Sequence, residues 1–168
     1  VLVVSVFLLL IVRRAWLCDD AYITFRTIDN FISGYRPTWN INERVQAFTH
    51  PLWMLLLSFF YYLTREIYLT SIFLSLAISL AVVVIFAARV SKSTLGAVLG
   101  IAVLGLSNAF VDYSTSGLEN PLTHLILVIF FALYCSGKKP TARRLFWASF
   151  LVSLAGVNRP DTLLLYVL

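Results

Sequence analysis

The chain has 168 residues, of which 60% are hydrophobic and 12% charged; its mean hydropathy is +0.88 and its formal net charge +5. A soluble domain averages about 45–50% apolar and about 25% charged residues, so the surplus here needs lipid or neighbouring helices to cover it, which excludes a soluble globular domain. The positive charge is no nucleic-acid footprint, because the basic residues sit in short loops between apolar segments, where the positive-inside rule puts them.

Val1–Val12 is apolar and no small-residue cleavage site follows it, so it reads as a membrane helix cut by the start of the sequence rather than a signal peptide. The chain opens without an initiator Met and closes inside another apolar run, Thr162–Leu168, and is expected to be the N-terminal part of a longer protein. Residues 13–50 form the one substantial hydrophilic insertion. Within it Ala21, Phe25, Ile28 and Ile32 recur at spacings of four, three and four, which predicts a one-sided helix. Asp19 or Asp20 is expected to cap its start and Gly34 to stand just past its end. Such a helix should lie flat at a membrane surface with Thr24, Thr27 and Asn30 towards water.

Beyond the insertion, a spanning helix needs about 20 mainly apolar residues. Leu69–Ala88 meets this without a charge, and Leu95–Val111 and Leu118–Cys135 come close. Leu52–Leu63 and Leu145–Val157 are shorter and need their flanks to complete a span. No repeat or low-complexity linker interrupts this pattern. The expected fold is therefore all-α, a polytopic transmembrane helical bundle with interfacial helices in its first loop.

Charge sets an expected topology. Arg89 and Lys92 flank one loop, and Lys138, Lys139, Arg143 and Arg144 crowd another; both should face the cytoplasm. Residues 112–120 then lie outside. The 13–50 insertion shares that side only if an even number of crossings separates the two, whereas three apolar runs intervene. Either the run 52–63 fails to cross, or one basic loop breaks the rule.

The titratable residues at segment ends are the candidates for chemistry. Asp19 and Asp20 read either as a helix cap with a solvated acid, or as a general base whose proton affinity is raised by low dielectric and a like-charged neighbour. Two adjacent acids also suit a divalent cation. Glu119 opens an apolar run, where the helix dipole favours it and Ser116 or Thr115 could cap; at a membrane edge it is equally a functional candidate. His50 precedes Pro51 at a helix start, a position that attracts phosphate. His124 lies mid-run and is expected to bond to a neighbouring helix. Arg159 either pairs with Asp161 or binds an anionic head group. Trp16, Trp39 and Trp53 read as interfacial aromatics, with Trp39 and Tyr35 also able to stack on a sugar ring. Cys18 and Cys135 follow no metal-ligand spacing and read as small apolar fillers.

Four stretches together carry a family resemblance: Asp19-Asp20-Ala21-Tyr22-Ile23-Thr24-Phe25-Arg26, Phe48-Thr49-His50-Pro51-Leu52-Trp53, Thr115-Ser116-Gly117-Leu118-Glu119-Asn120-Pro121 and Asn158-Arg159-Pro160-Asp161. In this order the chain resembles the polyprenyl-phosphate-dependent glycosyltransferases of the GT-C superfamily. The likeness is closest to the branch containing the bacterial terminal arabinofuranosyltransferases and more distant to protein O-mannosyltransferases and aminoarabinose transferases of lipid A. The resemblance implies that residues 1–168 form the N-terminal part of one transmembrane glycosyltransferase domain in the bacterial inner membrane. Its site would face the extracytoplasmic side, with residues 13–50 as a loop within the domain. It implies Asp19 as catalytic base, Asp20 in support by orientation or cation binding, and His50 holding the donor phosphate where the aminoarabinose branch has lysine. Glu119 would be a second acid of the site, with Arg26 and Arg159 near the departing phosphate. The implied partners are a polyprenyl-phosphate-linked sugar donor, a glycan or lipid acceptor and membrane lipid. A metal ion is left open, and the missing Gly-rich phosphate loop fits a donor activated by its own phosphate. A transporter or lipid flippase is the rival class, but it should carry its acids mid-span and show repeat symmetry.

Overall fold

A computed structural model of the chain describes residues 2–43, 45, 47–136 and 141–166. Lys138 and Lys139 of the second basic loop lie outside the described residues. Regular secondary structure among the described residues is entirely helical: α1 (Leu2–Arg13), α2 (Asp19–Ile32), α3 (Pro51–Thr64), α4 (Ile67–Ile85), α5 (Thr94–Leu106), α6 (Asn108–Tyr113), α7 (Asn120–Tyr134) and α8 (Ala142–Asn158). A π-helical turn, Phe86–Val90, extends α4, and a 3-10 segment, Pro160–Tyr166, follows α8. Among the described residues one helix, the 24-residue Ile67–Val90, is long and apolar enough to cross a membrane. At 1.5 Å per residue it reaches about 36 Å, against about 30 Å for the hydrocarbon core. Leu2–Arg13, Pro51–Thr64, Thr94–Leu106 and Asn120–Tyr134 are apolar but shorter.

Two hydrophobic clusters meet on α4. In one, Phe7 and Ile11 of α1 pack with Val83 of α4, Ile101 of α5 and Val111 of α6. The other joins Ala21, Phe25 and Ile28 of α2 to Trp53 and Leu57 of α3, Ile126 of α7 and Ala155 of α8. Outside these clusters Leu2 and Leu9 of α1, Leu99 and Val103 of α5 and Phe146 and Phe150 of α8 remain exposed. An apolar surface this extensive calls for lipid or further protein to cover it.

The predicted run 95–111 is not one helix. At Ser107 the backbone is extended and the hydroxyl accepts the Phe110 N–H, so the residue ends α5 and caps α6. Serine favours this because its hydroxyl offers the backbone a local partner. α2 begins and ends close to its expected limits, and Gly34, at φ +90°, stands just past Ser33. Its capping residue is Cys18, however, and makes no side-chain cap bond; Asp19 and Asp20 occupy the first helical turn instead. Thr24 and Thr27, expected towards water, are fully buried. Thr27 donates to the Ile23 carbonyl and Thr24 meets His50. Asn30 folds back onto the carbonyls of Thr38 and Trp39. Their polar atoms find protein partners, and that removes the need for water.

The helix ends also fix how the two polar loops lie relative to each other. α3 runs beside α2: at its start His50 meets Thr24, near its end Tyr61 donates to Asp29, and Tyr68 of α4 packs edge-on against Phe25, 5.8 Å between centroids. Both ends of α3 therefore stay with α2. α4 then runs away beside α7, and Phe86 and Val90 approach Leu127 and Phe131. α5 returns until Asn108 accepts from Arg14 at the end of α1. Trp16 donates to the Asp112 carbonyl and Cys18 to that of Ser116, so the 13–50 insertion and the 112–120 loop share one end of the molecule. Two traverses, α4 and α5, separate them.

Candidate active site

At that shared end the starts of α2, α3 and α7 meet the end of α8 around a cavity of about 1010 Å³. Its wall includes Asp20, Ile23 and Thr24 from α2, residues 47–50 before α3, Tyr113, Leu118–Asn120, and Arg159–Asp161 after α8. The loop before α7 is the organiser. Ser114, Thr115 and Ser116 are fully buried. Ser114 donates to the Phe110 carbonyl, Thr115 accepts the Trp16 N–H and Ser116 the Cys18 N–H. Trp53, expected at an interface, is instead completely buried, and its indole N–H donates to the Gly117 carbonyl at 2.9 Å. Burial of so large a ring is possible because that carbonyl satisfies its single donor. Gly117 has φ +81° and lies against Ala21 and Leu17 at the start of α2. The loop thus locks α2, α3 and α7 together.

This construction delivers Glu119 into the cavity wall with 8% of its side chain exposed. It occupies the position capping α7 yet makes no side-chain cap bond, and neither Ser116 nor Thr115 caps the helix. Its Oε2 lies 3.3 Å from His50 Nδ1, and its Oε1 accepts from Arg159 Nη1 at 3.1 Å. His50 Nε2 is 2.9 Å from Thr24 Oγ1. Burial holds the His50 pKa below its usual value; Glu119 pulls it upward and Arg159 pushes it down, both more weakly. The hydrogen bond of the ring is the one between Nε2 and Thr24 Oγ1, while Nδ1 faces the Glu119 carboxylate at ion-pair distance. The Arg159 pKa is raised, first by its hydrogen bond to Asp161. Arg159 Nε donates to Asp161 at 2.9 and 3.0 Å. Two of the five guanidinium N–H groups are so engaged, which leaves three for a ligand. Asn158, fully buried, donates to Thr123 Oγ1 at 2.9 Å and ties the end of α8 to the start of α7.

The residues singled out in the sequence are not all brought together. Asp20, His50, Glu119 and Arg159 line the cavity; Asp19 and Arg26 do not. Arg26 faces a second cleft, where Nη2 donates to Asn40 and the guanidinium lies over Trp39. His124 stacks on Phe110, 4.7 Å between centroids. Cys18 and Cys135 are free thiols, and among the described residues no group of three His, Cys, Asp or Glu is placed to hold a metal ion. Thr24 and Asn158 fall within the stretches quoted from the sequence but were given no individual part in the site, and Tyr113 was not singled out. For Thr24 a signal existed: it follows Asp20 by four residues, so the two share a helix face.

Two curated proteins are similar to this chain. A terminal beta-(1->2)-arabinofuranosyltransferase of Corynebacterium glutamicum is 33% identical over 114 residues, which is 63% of this chain and 16% of that protein. A terminal beta-(1->2)-arabinofuranosyltransferase of Mycobacterium tuberculosis is 28% identical over 160 residues, 86% of this chain and 25% of that protein. The likeness is to glycosyltransferases. The chain spans between a sixth and a quarter of the length of these relatives. No protein-family model and no solved structure matches it.

Proposed function

We propose that this chain carries the catalytic end of a membrane glycosyltransferase that moves a sugar from a polyprenyl-phosphate donor to a hydroxyl of a cell-envelope acceptor. Residues 1–168 would be the N-terminal part of a single transmembrane domain. In this reading α1, α4, α5, α7 and α8 cross the bacterial inner membrane, α2 and α3 lie at its outer surface, and the 13–50 segment faces the extracytoplasmic side. The observation that carries the reading is the convergence of Asp20, Glu119 and Arg159 on one cavity, in a chain similar to arabinofuranosyltransferases.

The acceptor hydroxyl attacks the anomeric carbon, the bond from that carbon to the phosphate oxygen breaks, and the polyprenyl phosphate leaves with the electron pair. The hydroxyl proton passes to a carboxylate of the Asp19–Asp20 pair. Because Asp20 is the member lining the cavity, it is the stronger candidate for the base, with Asp19 beside it in the first turn of α2. Arg159 stabilises the departing phosphate. Its link to Asp161 joins side chains 43% and 63% exposed, so water screens the pair and a phosphate can displace the carboxylate. Its link to Glu119 is buried on the acid's side and keeps the guanidinium in place. His50, bonded to Thr24 through Nε2, facing Glu119 at ion-pair distance and with its pKa lowered by burial, supports Glu119 in this scheme.

The test is transfer from a radiolabelled polyprenyl-phosphate sugar by the intact protein in nanodiscs. Asp20→Asn is expected to slow transfer about 10²–10⁴-fold, the usual range for a lost general base, with an unchanged elution profile. Near-normal turnover in Asp20→Asn, together with loss in Asp19→Asn, moves the base to Asp19; near-normal turnover in both removes it from this pair. Lipid-linked sugar that crosses the bilayer without transfer identifies a flippase instead.

A further inference from the structure

We infer that a second cleft, on the other side of α2 from the catalytic cavity, binds a neutral oligosaccharide, the inner part of the acceptor chain whose end reacts next to Asp20. It has a volume of about 530 Å³ and lies among α2, the end of α3 and the start of α4, with Trp39 closing one side. The inference rests on the glycosyltransferase reading for the word acceptor; the carbohydrate site stands on its own geometry.

Three observations support a carbohydrate. The first is the aromatic wall. Tyr22, Phe25 and Tyr68 form a cluster with centroids 5.6–5.8 Å apart. Tyr22 and Tyr68 stay about half exposed, at 46% and 48%. A sugar ring presents an apolar face of C–H groups carrying slight positive charge, and an aromatic face is its electrostatic complement. The second is charge balance. The cleft holds Arg26 and Arg65 against Asp29 and Glu66, so its formal charges cancel. An anionic head group gains no net attraction there, whereas hydroxyls, which donate and accept, match guanidinium and carboxylate alike. These polar groups are already fixed in direction. Tyr61 donates to Asp29 Oδ1 at 2.6 Å, Arg26 lies 4.5 Å over Trp39, and Glu66 accepts the Tyr68 and Leu69 N–H groups. Arg65 holds a left-handed backbone, φ 56°, where glycine or asparagine is the usual resident. Its guanidinium lies over the Tyr62 ring.

The third is placement. α2 is the shared wall: Asp20, Ile23 and Thr24 face the catalytic cavity, and Tyr22, Phe25, Arg26 and Asp29 face the cleft. The two are separated by the thickness of one helix with its side chains, about 10–12 Å. A short oligosaccharide bridges that distance, so a polymer can rest in the cleft and present its terminal hydroxyl to Asp20. A lone sugar or a donor head group needs no such second station.

The experiment uses the intact protein in nanodiscs and a synthetic arabinofuranose hexasaccharide, with binding measured by calorimetry and transfer measured in parallel. Arg65→Gly removes the guanidinium while relaxing the left-handed backbone and leaves the fold intact; Tyr68→Ala removes a half-exposed ring that also packs on Phe25, so its thermal midpoint is measured beside binding. Each is expected to weaken hexasaccharide binding at least tenfold and to raise the acceptor KM by a similar factor, with kcat at saturating acceptor and donor KM within twofold of the parent. Hexasaccharide binding unchanged in both variants overturns the inference. So does cleft-dependent binding of glycerophosphoethanolamine in place of the hexasaccharide, which makes the cleft a lipid head-group site. Cleft-dependent hexasaccharide binding by a protein with no transferase activity keeps the carbohydrate site and removes the catalytic reading. Normal acceptor kinetics in both variants overturns the cleft's role in holding the acceptor and leaves the catalytic reading standing.

Discussion

Gly117 offers a test of how the site is assembled. Alanine at Gly117 would place its Cβ 2.8 Å from Ala21 Cβ, 3.0 Å from Leu17 Cδ2 and 3.2 Å from the Phe25 ring, at φ +81°. The left-handed backbone alone costs about 1–2 kcal/mol for a residue with a Cβ. Overpacking adds about 1–3 kcal/mol. Leu17 and Phe25 can rotate away, but Ala21 Cβ is fixed to the α2 backbone, so relief requires the first turn of α2 to shift, and Asp20 with it. Gly34→Ala is the internal control: it shares the positive φ, +90°, and meets nothing within 4 Å. Gly117→Ala should therefore cost about 2–5 kcal/mol and Gly34→Ala about 1–2 kcal/mol, read by SDS unfolding of the intact protein in mixed micelles. Gly117→Ala should also slow transfer, and Gly34→Ala should not. Equal costs for the two substitutions, within about 0.5 kcal/mol, would refute the close approach of the 114–119 loop to α2.

Arg159→Gln, which removes the cavity's guanidinium, should slow transfer at saturating donor by about 10²–10³-fold, the range for losing one preorganised donor to developing negative charge; single-turnover kinetics reads it. For His50, burial puts the folded-state pKa below 6.5, so the unfolded chain binds its proton first as pH falls. The stability this group contributes is present above about pH 6.5 and is lost as pH drops through the depressed native value. Thermal midpoints at about pH 7.5 and about pH 5.5 should therefore fall further apart in the parent than in His50→Gln, and an identical pH dependence rejects a buried neutral His50. Because both ends of α3 lie beside α2, a cysteine at Leu63, which is exposed, should react with a membrane-impermeant thiol reagent from the same side as one at Tyr35; opposite sidedness makes α3 a crossing.

What the sequence made legible follows from the range of the interactions involved. Helix α2 could be read because its apolar stripe and Gly34 are local signals, each acting within a turn or two. The long span could be read because an uninterrupted apolar run is a property of composition. The break at Ser107 was in reach as well, since a serine that caps needs only the N–H three residues on. α3 was not: its run is as apolar as its neighbours, and what keeps it with α2 is the pairing of Tyr61 with Asp29 and of Tyr68 with Phe25.

The same distinction runs through the candidate site. Each acid and base stood out singly because an ionisable group at the edge of an apolar segment is conspicuous. Their mutual arrangement is another matter. Glu119 meets His50 and Arg159 only because the buried Thr115–Gly117 stretch accepts hydrogen bonds from Trp16 and Cys18 before α2 and from Trp53 in α3, two parts of the chain far from it in sequence. Those contacts decide that Asp20 rather than Asp19 reaches the cavity, because they fix the rotation of α2: with Ala21 and Phe25 pressed against Gly117, the neighbouring stripe through Asp20 and Thr24 is the one turned to the cavity. The apolar residues of α2 thus aim its polar ones, and the carboxylate that faces the site is selected by packing on the adjacent side of the helix.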